Sequence, residues 1–376
     1  MRIAHLADLH LGYRAYTRET PQGQNQREAD VQLAVRRAFD GVIAQAPDVV
    51  LLAGDVFHSV RPDNRAIVAL FAELQRLRTA LPKVDVVAIA GDHDTPRTSS
   101  TGTILSLYRA LGVHTVERDI ALVPLPSGLT VLCVPQARAR QLKAYTGPPG
   151  DVLLLHGEVR QVPGANVDPT VLEGHPWQYV ALGHYHVCAE VGTRAWYAGS
   201  LDYTSTDPWS ERARQLDTRV PGKGWLLVEL GYDPAFMAIE PPRRFEDLLK
   251  IDAADMTAEE LNTLLAELAA DVDGAVVRQV VVNLSRETHR AGLDHEAIRS
   301  YKRRALNYHL SWSRPAAQAP TPEARARVRQ TLDEVVAQFF GERPLPPDVD
   351  RGALTTLAAE HLAAVGTDPY TGAVTP

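Results

Sequence analysis

Five apolar runs in this chain end in the same way, with Asp, His or Gly at their carboxyl ends. IAHLA (3–7) leads into Asp8-Leu9-His10, DVVLLA (48–53) into Gly54-Asp55-Val56-Phe57-His58, and VDVVAIA (84–90) into Gly91-Asp92-His93-Asp94. DVLLLH (151–156) ends in His156-Gly157, and QYVALG (178–183) in Gly183-His184-Tyr185-His186. Short, nearly continuous apolar runs of this kind fit strands buried on both faces. LTVLCV (129–134) and WLLVEL (225–230) add two more. Helical patterns lie between the early runs near 26–45, 64–80 and 101–111, with Asp63 and Asn64 offering a cap for the second. The alternation predicts a layered α/β fold, with helices outside either a sheet sandwich or a single mixed sheet.

The carboxyl edge of such a sheet is where ligands bind. Five loops delivering Asp and His to one edge form a metal-ligand constellation. If the backbone stays extended, residues i and i+2 point the same way, so Asp8 and His10 would grip one ion together. By the same spacing His184 and His186 would reach two neighbouring ions. Mixed carboxylate and imidazole donors suit Mn, Fe or Zn better than Ca or Mg. Two ions roughly 3.5–4 Å apart need a bridging carboxylate, and Asp55 is the candidate. His5 falls on the other side of its strand from Asp8 and is expected to be a core histidine. Asp94 is expected to hydrogen-bond His93 rather than bind metal.

Composition sets the outer limits. The 376 residues are 45% hydrophobic and 23% charged, which leaves out global disorder and allows two or three domains. No apolar run approaches the ~20 residues of a membrane span, and the first strand is too interrupted by polar residues for a signal peptide. Cys133 and Cys188 both sit beside apolar segments and read as buried thiols of a cytoplasmic protein. A net charge of −7 does not advertise nucleic acid, yet acidic side chains form a positive site once they hold divalent cations.

In this order, DxH, GDxFH, G(N/D)HD, HG and GHxH resemble the calcineurin-like metallophosphoesterase superfamily. ADLHLG (7–12), GDVFHSVRP (54–62) and YAGSLDYTS (197–205) look like its SbcD family, the nuclease subunits of prokaryotic SbcCD complexes and counterparts of the eukaryotic double-strand-break repair nuclease. The resemblance implies a metallophosphoesterase β-sandwich flanked by helices, a small α/β capping domain and C-terminal helices. It implies two manganese ions. Asp8, His10, Asp55 and His186 would hold one, and Asp55, Asp92, His156 and His184 the other. His93 would act on the scissile phosphate, with His58 a second catalytic histidine beside it. The implied activity is DNA hydrolysis, as a 3'-5' exonuclease and single-strand endonuclease. One departure stands out: the family's GNHD is here Gly91-Asp92-His93-Asp94, so a carboxylate replaces an amide ligand. The added charge should tighten the second ion, lower its Lewis acidity and repel the phosphate.

The domains expected are a nuclease domain at 1–235, a DNA-binding capping domain at 236–312, and a linker with C-terminal helices at 313–376. PPRRFE near 241–246 marks the first change, and SRPAAQAPTP (313–322) the second. The capping domain is expected to contain a helix (258–271), a strand (274–284) and a helix (294–307). DNA contacts are expected from Arg61 and from Arg299, Lys302, Arg303 and Arg304, with Arg138, Arg140, Lys143, Arg243 and Arg244 as further cations. Val328, Leu332, Val335, Val336, Phe339 and Phe340 form one apolar stripe, followed by a second helix with Leu354, Leu357, Ala358, Leu362 and Val365. Their position is that of the segment that docks on the SbcC-type coiled-coil ATPase, and the family implies a homodimer within a heterotetramer. Residues 204–223, interrupted by Pro208 and Pro221, are expected to form a long surface loop. Two rival readings remain: a phosphoesterase for small phosphodiesters or phosphoproteins, and a non-catalytic scaffold of the same fold.

Overall fold

The computed structural model describes residues 1–96, 98, 102–159, 167–173, 175–218, 220, 222–285, 288, 292–315, 336, 338–341, 345–346 and 349–365. Two six-stranded sheets face each other. The first contains β1 (Arg2–Leu6), β2 (Val49–Leu52), β3 (Asp85–Ile89), β4 (Val113–Val116), β11 (Lys223–Glu229) and β12 (Ala235–Ile239), in the order β12-β11-β1-β2-β3-β4. The second contains β5 (Ala121–Pro124), β6 (Thr130–Val134), β7 (Val152–His156), β8 (Tyr179–Gly183), β9 (Ala189–Gly192) and β10 (Ala195–Tyr197), in the order β5-β6-β7-β8-β10-β9. β1 to β4 are mutually parallel, as are β6 to β8, so their carboxyl ends share an edge within each sheet.

The sandwich explains why the strand sequences hardly alternate in polarity. Ile3, Val49, Leu51, Val87 and Ile89 pack between the sheets against Val131, Cys133, Val152, Leu154 and Ala181. The intervening Ala4, Leu6, Val50, Leu52, Val86 and Ala88 pack outward against Val35 and Phe39 of α1 (Gln26–Gln45) and Leu70 and Leu74 of α2 (Asn64–Ala80). On the far side Leu132, Leu153 and Val180 meet Leu142, Trp177 and Val171 of α3 (Thr170–Glu173). Nearly every apolar residue of these strands therefore has an apolar destination. His5 is a polar residue set among them. It is buried between the sheets, with Nδ1 2.9 Å from the Tyr179 hydroxyl and Nε2 3.2 Å from the Leu182 carbonyl.

Local chemistry sets the helix ends. The Asn25 side chain accepts from the first N–H groups of α1, and Asp63 accepts from Ala66 N–H at α2. The third expected helix is a 3-10 helix, Ile104–Leu111, closed by Gly112 in left-handed backbone. Residues 204–223 depart from expectation. They are not one long loop but carry α4 (Pro208–Leu216) and the start of β11. Asp207 caps α4, and Pro208 takes its first position, where a missing N–H costs nothing. The proline read as an interruption is a helix start.

A separate four-stranded sheet follows, made of β13 (Phe245–Asp247), β14 (Ile251–Asp252), β15 (Val276–Val282) and β16 (Asn307–Trp312). α5 (Ala258–Leu268), opened by a Thr257/Glu260 capping box, and the helix His295–Arg304 cover it through Leu261, Leu265, Ile298 and Tyr301. The first sheet runs to Ile239, four residues past the expected division at 235, because β12 pairs with β11. Arg243 ties the two units by a bidentate pair with Asp30 of α1, at 2.9 and 2.8 Å. Arg27, fully buried, reaches Asp30 and Asp202, each at 3.0 Å, and lies 5.0 Å from the Phe245 ring centroid.

Of the expected C-terminal stripe, Val328, Leu332 and Val335 lie outside the described residues. Val336, Phe339 and Phe340 are helical, and Arg351–Val365 forms a further helix. Among the described residues, no helix is long and apolar enough to cross a membrane. Cys133 and Cys188 are both buried and free.

Candidate metal centre

The five strand ends meet at one edge of the sandwich. The loop after β1 runs beside the loop after β2, with Asp8 N–H donating to the Gly54 carbonyl, His10 N–H to Asp55 and Leu11 N–H to Val56, each at 3.0 Å. Asp8, His10, Asp55 and His184 all have left-handed backbone, with φ of 51°, 48°, 49° and 99°. Asp8 and His10 thus meet by a twisted turn, not by the extended i, i+2 geometry that the spacing suggests. Residues held in sparsely populated backbone mark sites whose surroundings dictate the conformation. Gly91 shows how tight the approach is. A Cβ there would sit 2.2 Å from Asp55 Oδ1 and 2.3 Å from its backbone nitrogen.

Ligand-capable atoms gather in overlapping groups, within 4.8 Å of one another in each. Asp8, His10 and His186 form one, Asp92, His156 and His184 another, and Asp8, Asp55 and His156 join the two. His10, His58 and His93 form a further group on the open side. Asp55 Oδ2 lies 3.8 Å from His10 Nε2 and 3.6 Å from His156 Nε2, between the two halves.

The donor chemistry fits divalent cations. His156 Nδ1 faces the Ala53 carbonyl at 2.7 Å, which fixes the proton there and leaves Nε2 a bare lone pair. That Nε2 is buried with no hydrogen-bond partner in the described structure. His10 Nε2 and His186 Nε2 face each other at 3.0 Å, while their Nδ1 atoms turn to His58 Nδ1 at 3.3 Å and to Glu211 Oε2 at 3.6 Å. Burial and the surrounding imidazoles push His10 well below the usual histidine range, and burial lowers His156. Both stay neutral, the form that ligates. Burial and the nearby Asp55 carboxylate push Asp8 well above the usual range. Buried carboxylates crowded among imidazoles held neutral are a set of donors that a divalent cation would stabilise.

On the outer side, Asp92 Oδ2 lies 2.9 Å from His184 Nδ1. This bond raises His184. Burial opposes ionisation of Asp92, but the His184 bond and the neighbouring imidazoles outweigh it and lower its pKa. His93 is fixed by its backbone N–H donating to Asp55 Oδ1 at 2.8 Å and by Nδ1 facing the His58 carbonyl at 2.9 Å. Its ring stacks on His58 at 4.9 Å. Burial and then the His93 ring push His58 down to about 4.

Asp94 corrects the expectation that it bonds His93. Its carboxylate accepts instead from the backbone N–H groups of Val56 (3.1 Å), Phe57 (2.9 Å) and Gly91 (3.1 Å). These chain reversals bury N–H groups that need an acceptor, and Asp94 supplies it. Burial, with the Asp55 charge nearby, raises it to about 7 against those three bonds.

The expected DNA-contacting residues lie elsewhere on the surface. Arg61 is exposed just past His58. On the helix His295–Arg304, Arg299 and Arg303 pair with Glu296, Arg304 pairs with Asp273, and Lys302 is exposed. Arg138, Lys143, Arg243 and Arg244 pair with Asp119, Asp168, Asp30 and Asp271. Sequence reading missed Glu211 and Lys223. Both are buried, and they pair with each other beside His186. The available signal was Asp207-Pro208, a helix start that would have turned Glu211 inward.

Residues 1–188 match the family model described as calcineurin-like phosphoesterase. The DNA double-strand break repair protein Mre11 of Archaeoglobus fulgidus is 27% identical over 314 residues, covering 74% of this chain and 68% of that protein. Mre11 of Haloferax volcanii is 32% identical over 310 residues, covering 74% and 67%. Mre11 of Methanocaldococcus jannaschii is 32% identical over 242 residues, covering 61% and 62%. A family model that takes in half the chain, joined by relatives that extend past it into the second unit, shows that this chain belongs to the calcineurin-like phosphoesterase family, as a relative of the Mre11 DNA double-strand break repair proteins.

Proposed function

We propose that this chain is a manganese-dependent DNA nuclease that works in an SbcCD-type end-processing complex. The observation that carries the reading is the meeting of seven ligand-capable side chains from five strand ends, with two further histidines on the open side. Asp8, His10, Asp55 and His186 would hold one ion, and Asp55, Asp92, His156 and His184 the other. When bound, the ions supply Lewis acidity at the phosphate and raise the acidity of the attacking water. The mixed carboxylate and imidazole set favours manganese over the harder magnesium.

His93 would stabilise the phosphate in the transition state and protonate the departing sugar oxygen. With Nδ1 donating to the His58 carbonyl, Nε2 is left for the open side, where it would have to carry a second proton, as the imidazolium, to donate to the phosphate or to the departing oxygen. His58, stacked on it, stands near the phosphate too. The carboxylate of Asp92 binds its ion more tightly than an amide would, at the expense of Lewis acidity.

DNA as substrate is favoured by the relatives, which are repair proteins of DNA double-strand breaks. Exposed Arg61 and Lys302 are ready cations for phosphates. Arg299 and Arg303 are held in surface ion pairs with Glu296, which cost little to exchange, whereas Arg304 pairs with Asp273 and also donates to the Ala269 and Ala270 carbonyls. Pairing with a second copy is supported by Val68 and Phe71, exposed on one face of α2, with Leu107 exposed on the adjoining 3-10 helix. The helix Arg351–Val365 is the segment proposed to meet the coiled-coil ATPase.

The test is digestion of end-labelled linear duplex DNA by the full chain with manganese, beside a small aryl phosphodiester. DNA cleavage that needs both manganese and His93 is the expected result. Hydrolysis of the small diester alone would overturn the DNA assignment, and a chain that binds no manganese would overturn the metal assignment.

A further inference from the structure

Among the described residues, His186 is the one proposed ligand with a buried ion pair behind it. Its Nδ1 lies 3.6 Å from Glu211 Oε2, on α4. Glu211 is itself gripped by Lys223, which heads β11, and Lys223 Nζ also donates to the His186 carbonyl and to Ser200 Oγ, both at 2.9 Å. Glu211 is 5% exposed and Lys223 3%, so both charges are out of water. Burying an ion pair costs stability unless it is fully bonded, and an apolar pair would fill the space as well. The cluster spans the strand-end loop at His186, the segment at Ser200, α4 and β11. It therefore holds both the ring and the backbone of one residue.

We propose that Glu211 is a positioning residue for the metal centre, held in place by Lys223. His186 Nδ1 is buried and makes no hydrogen bond among the described residues, and the Glu211 carboxylate, at 3.6 Å, is the acceptor it faces; drawing the Nδ1 proton to that side would leave Nε2 aimed at the space shared with His10 Nε2. Carboxylates in this position orient a ligating imidazole and make it more basic. Lys223 does two jobs at once. It grips the Glu211 carboxylate and anchors the carbonyl of the residue whose ring Glu211 orients. The inference rests on the two-ion reading but not on DNA as the substrate.

Two measurements on the full chain test it. In the first, manganese chloride is titrated into metal-free native chain and into a Glu211→Leu/Lys223→Met double variant, which leaves neither charge stranded. One of two sites should weaken by about 10–100-fold in the variant, with the other kept near its native affinity. Native affinity at both sites in the folded variant would overturn the proposal. In the second, long-range proton–nitrogen NMR spectra of metal-free native chain report the tautomer of His186 directly. A proton on Nδ1 is expected, and one on Nε2 would overturn the proposal even if the variant failed to fold. Absence of manganese binding by the native chain would strike the two-ion reading, whereas the tautomer tests the positioning role separately.

Discussion

Replacing Gly183 with Ala asks how closely the two sheets must meet for the centre to form. A Cβ at Gly183 would lie 1.9 Å from the Ala53 carbonyl oxygen and 2.9 Å from His156 Nδ1. Cβ contacts under 3.0 Å essentially do not occur, so the carbonyl must retreat by 3.0 − 1.9 = 1.1 Å. Backbone φ at this position is not in the left-handed region, so the clash alone produces the effect. The same carbonyl receives the His156 Nδ1 proton at 2.7 Å, and the retreat breaks or bends that bond. Overpacking costs about 1–3 kcal/mol and the bond about 1 kcal/mol, so urea unfolding should show a loss of about 2–4 kcal/mol. A displacement near 1 Å in catalytic geometry lowers turnover by roughly 10²-fold, so manganese-dependent cleavage should fall by about that factor in protein still folded at assay temperature. Gly192→Ala is the control, since its Cβ would meet nothing within 4 Å. Native stability and native cleavage in Gly183→Ala would refute the argument that this approach sets the site.

Other outcomes follow from the same geometry. His93→Ala should keep both manganese sites in a calorimetric titration yet lose about 10²–10⁴-fold in cleavage; unchanged cleavage would remove its assigned role. Asp92→Asn should need more manganese for half-maximal rate and turn over faster once saturated, read from rates across a manganese series; identical curves would discard the charge argument. Burial lowers His5 from 6.5 to about 3, so below pH 6.5 the unfolded chain takes up a proton that the folded chain refuses. Its contribution is intact above pH 6.5 and is lost as pH falls, at about 1.4 kcal/mol per pH unit. Urea unfolding at pH 7 and pH 5 should therefore show a loss about 2 kcal/mol smaller in His5→Gln than in the native chain. Val68→Glu should convert a dimer to monomer in light scattering without changing the unfolding midpoint of the monomer.

Much of the layout was legible because the strands are short, apolar and buried on both faces. α1 and α2 begin where Asn25 and Asp63 can cap them, and their ends fall at the expected residues. The convergence of the candidate ligands was legible because they follow directly on those strands. Other features depend on contacts distant in sequence. β9 and β10 are four and three residues long, and their pairing partners, not their own patterns, define them. The left-handed turns at Asp8 and His10 follow from hydrogen bonds to the loop after β2, and nothing in DxH announces them. Asp94 looked like a partner for its neighbour because sequence proximity says nothing about three buried N–H groups. Glu211 and Lys223 read as ordinary surface charges until α4 turned one toward the other.

The junction between the two units has a mechanical consequence. Asp30 serves two guanidiniums, one from its own helix and one at the entrance to the second unit. Swinging that unit outward would withdraw one of them and uncover a cation now roofed by an aromatic ring. Rupture of such an enclosed charge cluster costs about 3 kcal/mol or more, so roughly one molecule in a hundred or fewer would be open at any moment. The second unit is therefore held against α1 as a fixed wall and not as a closing jaw.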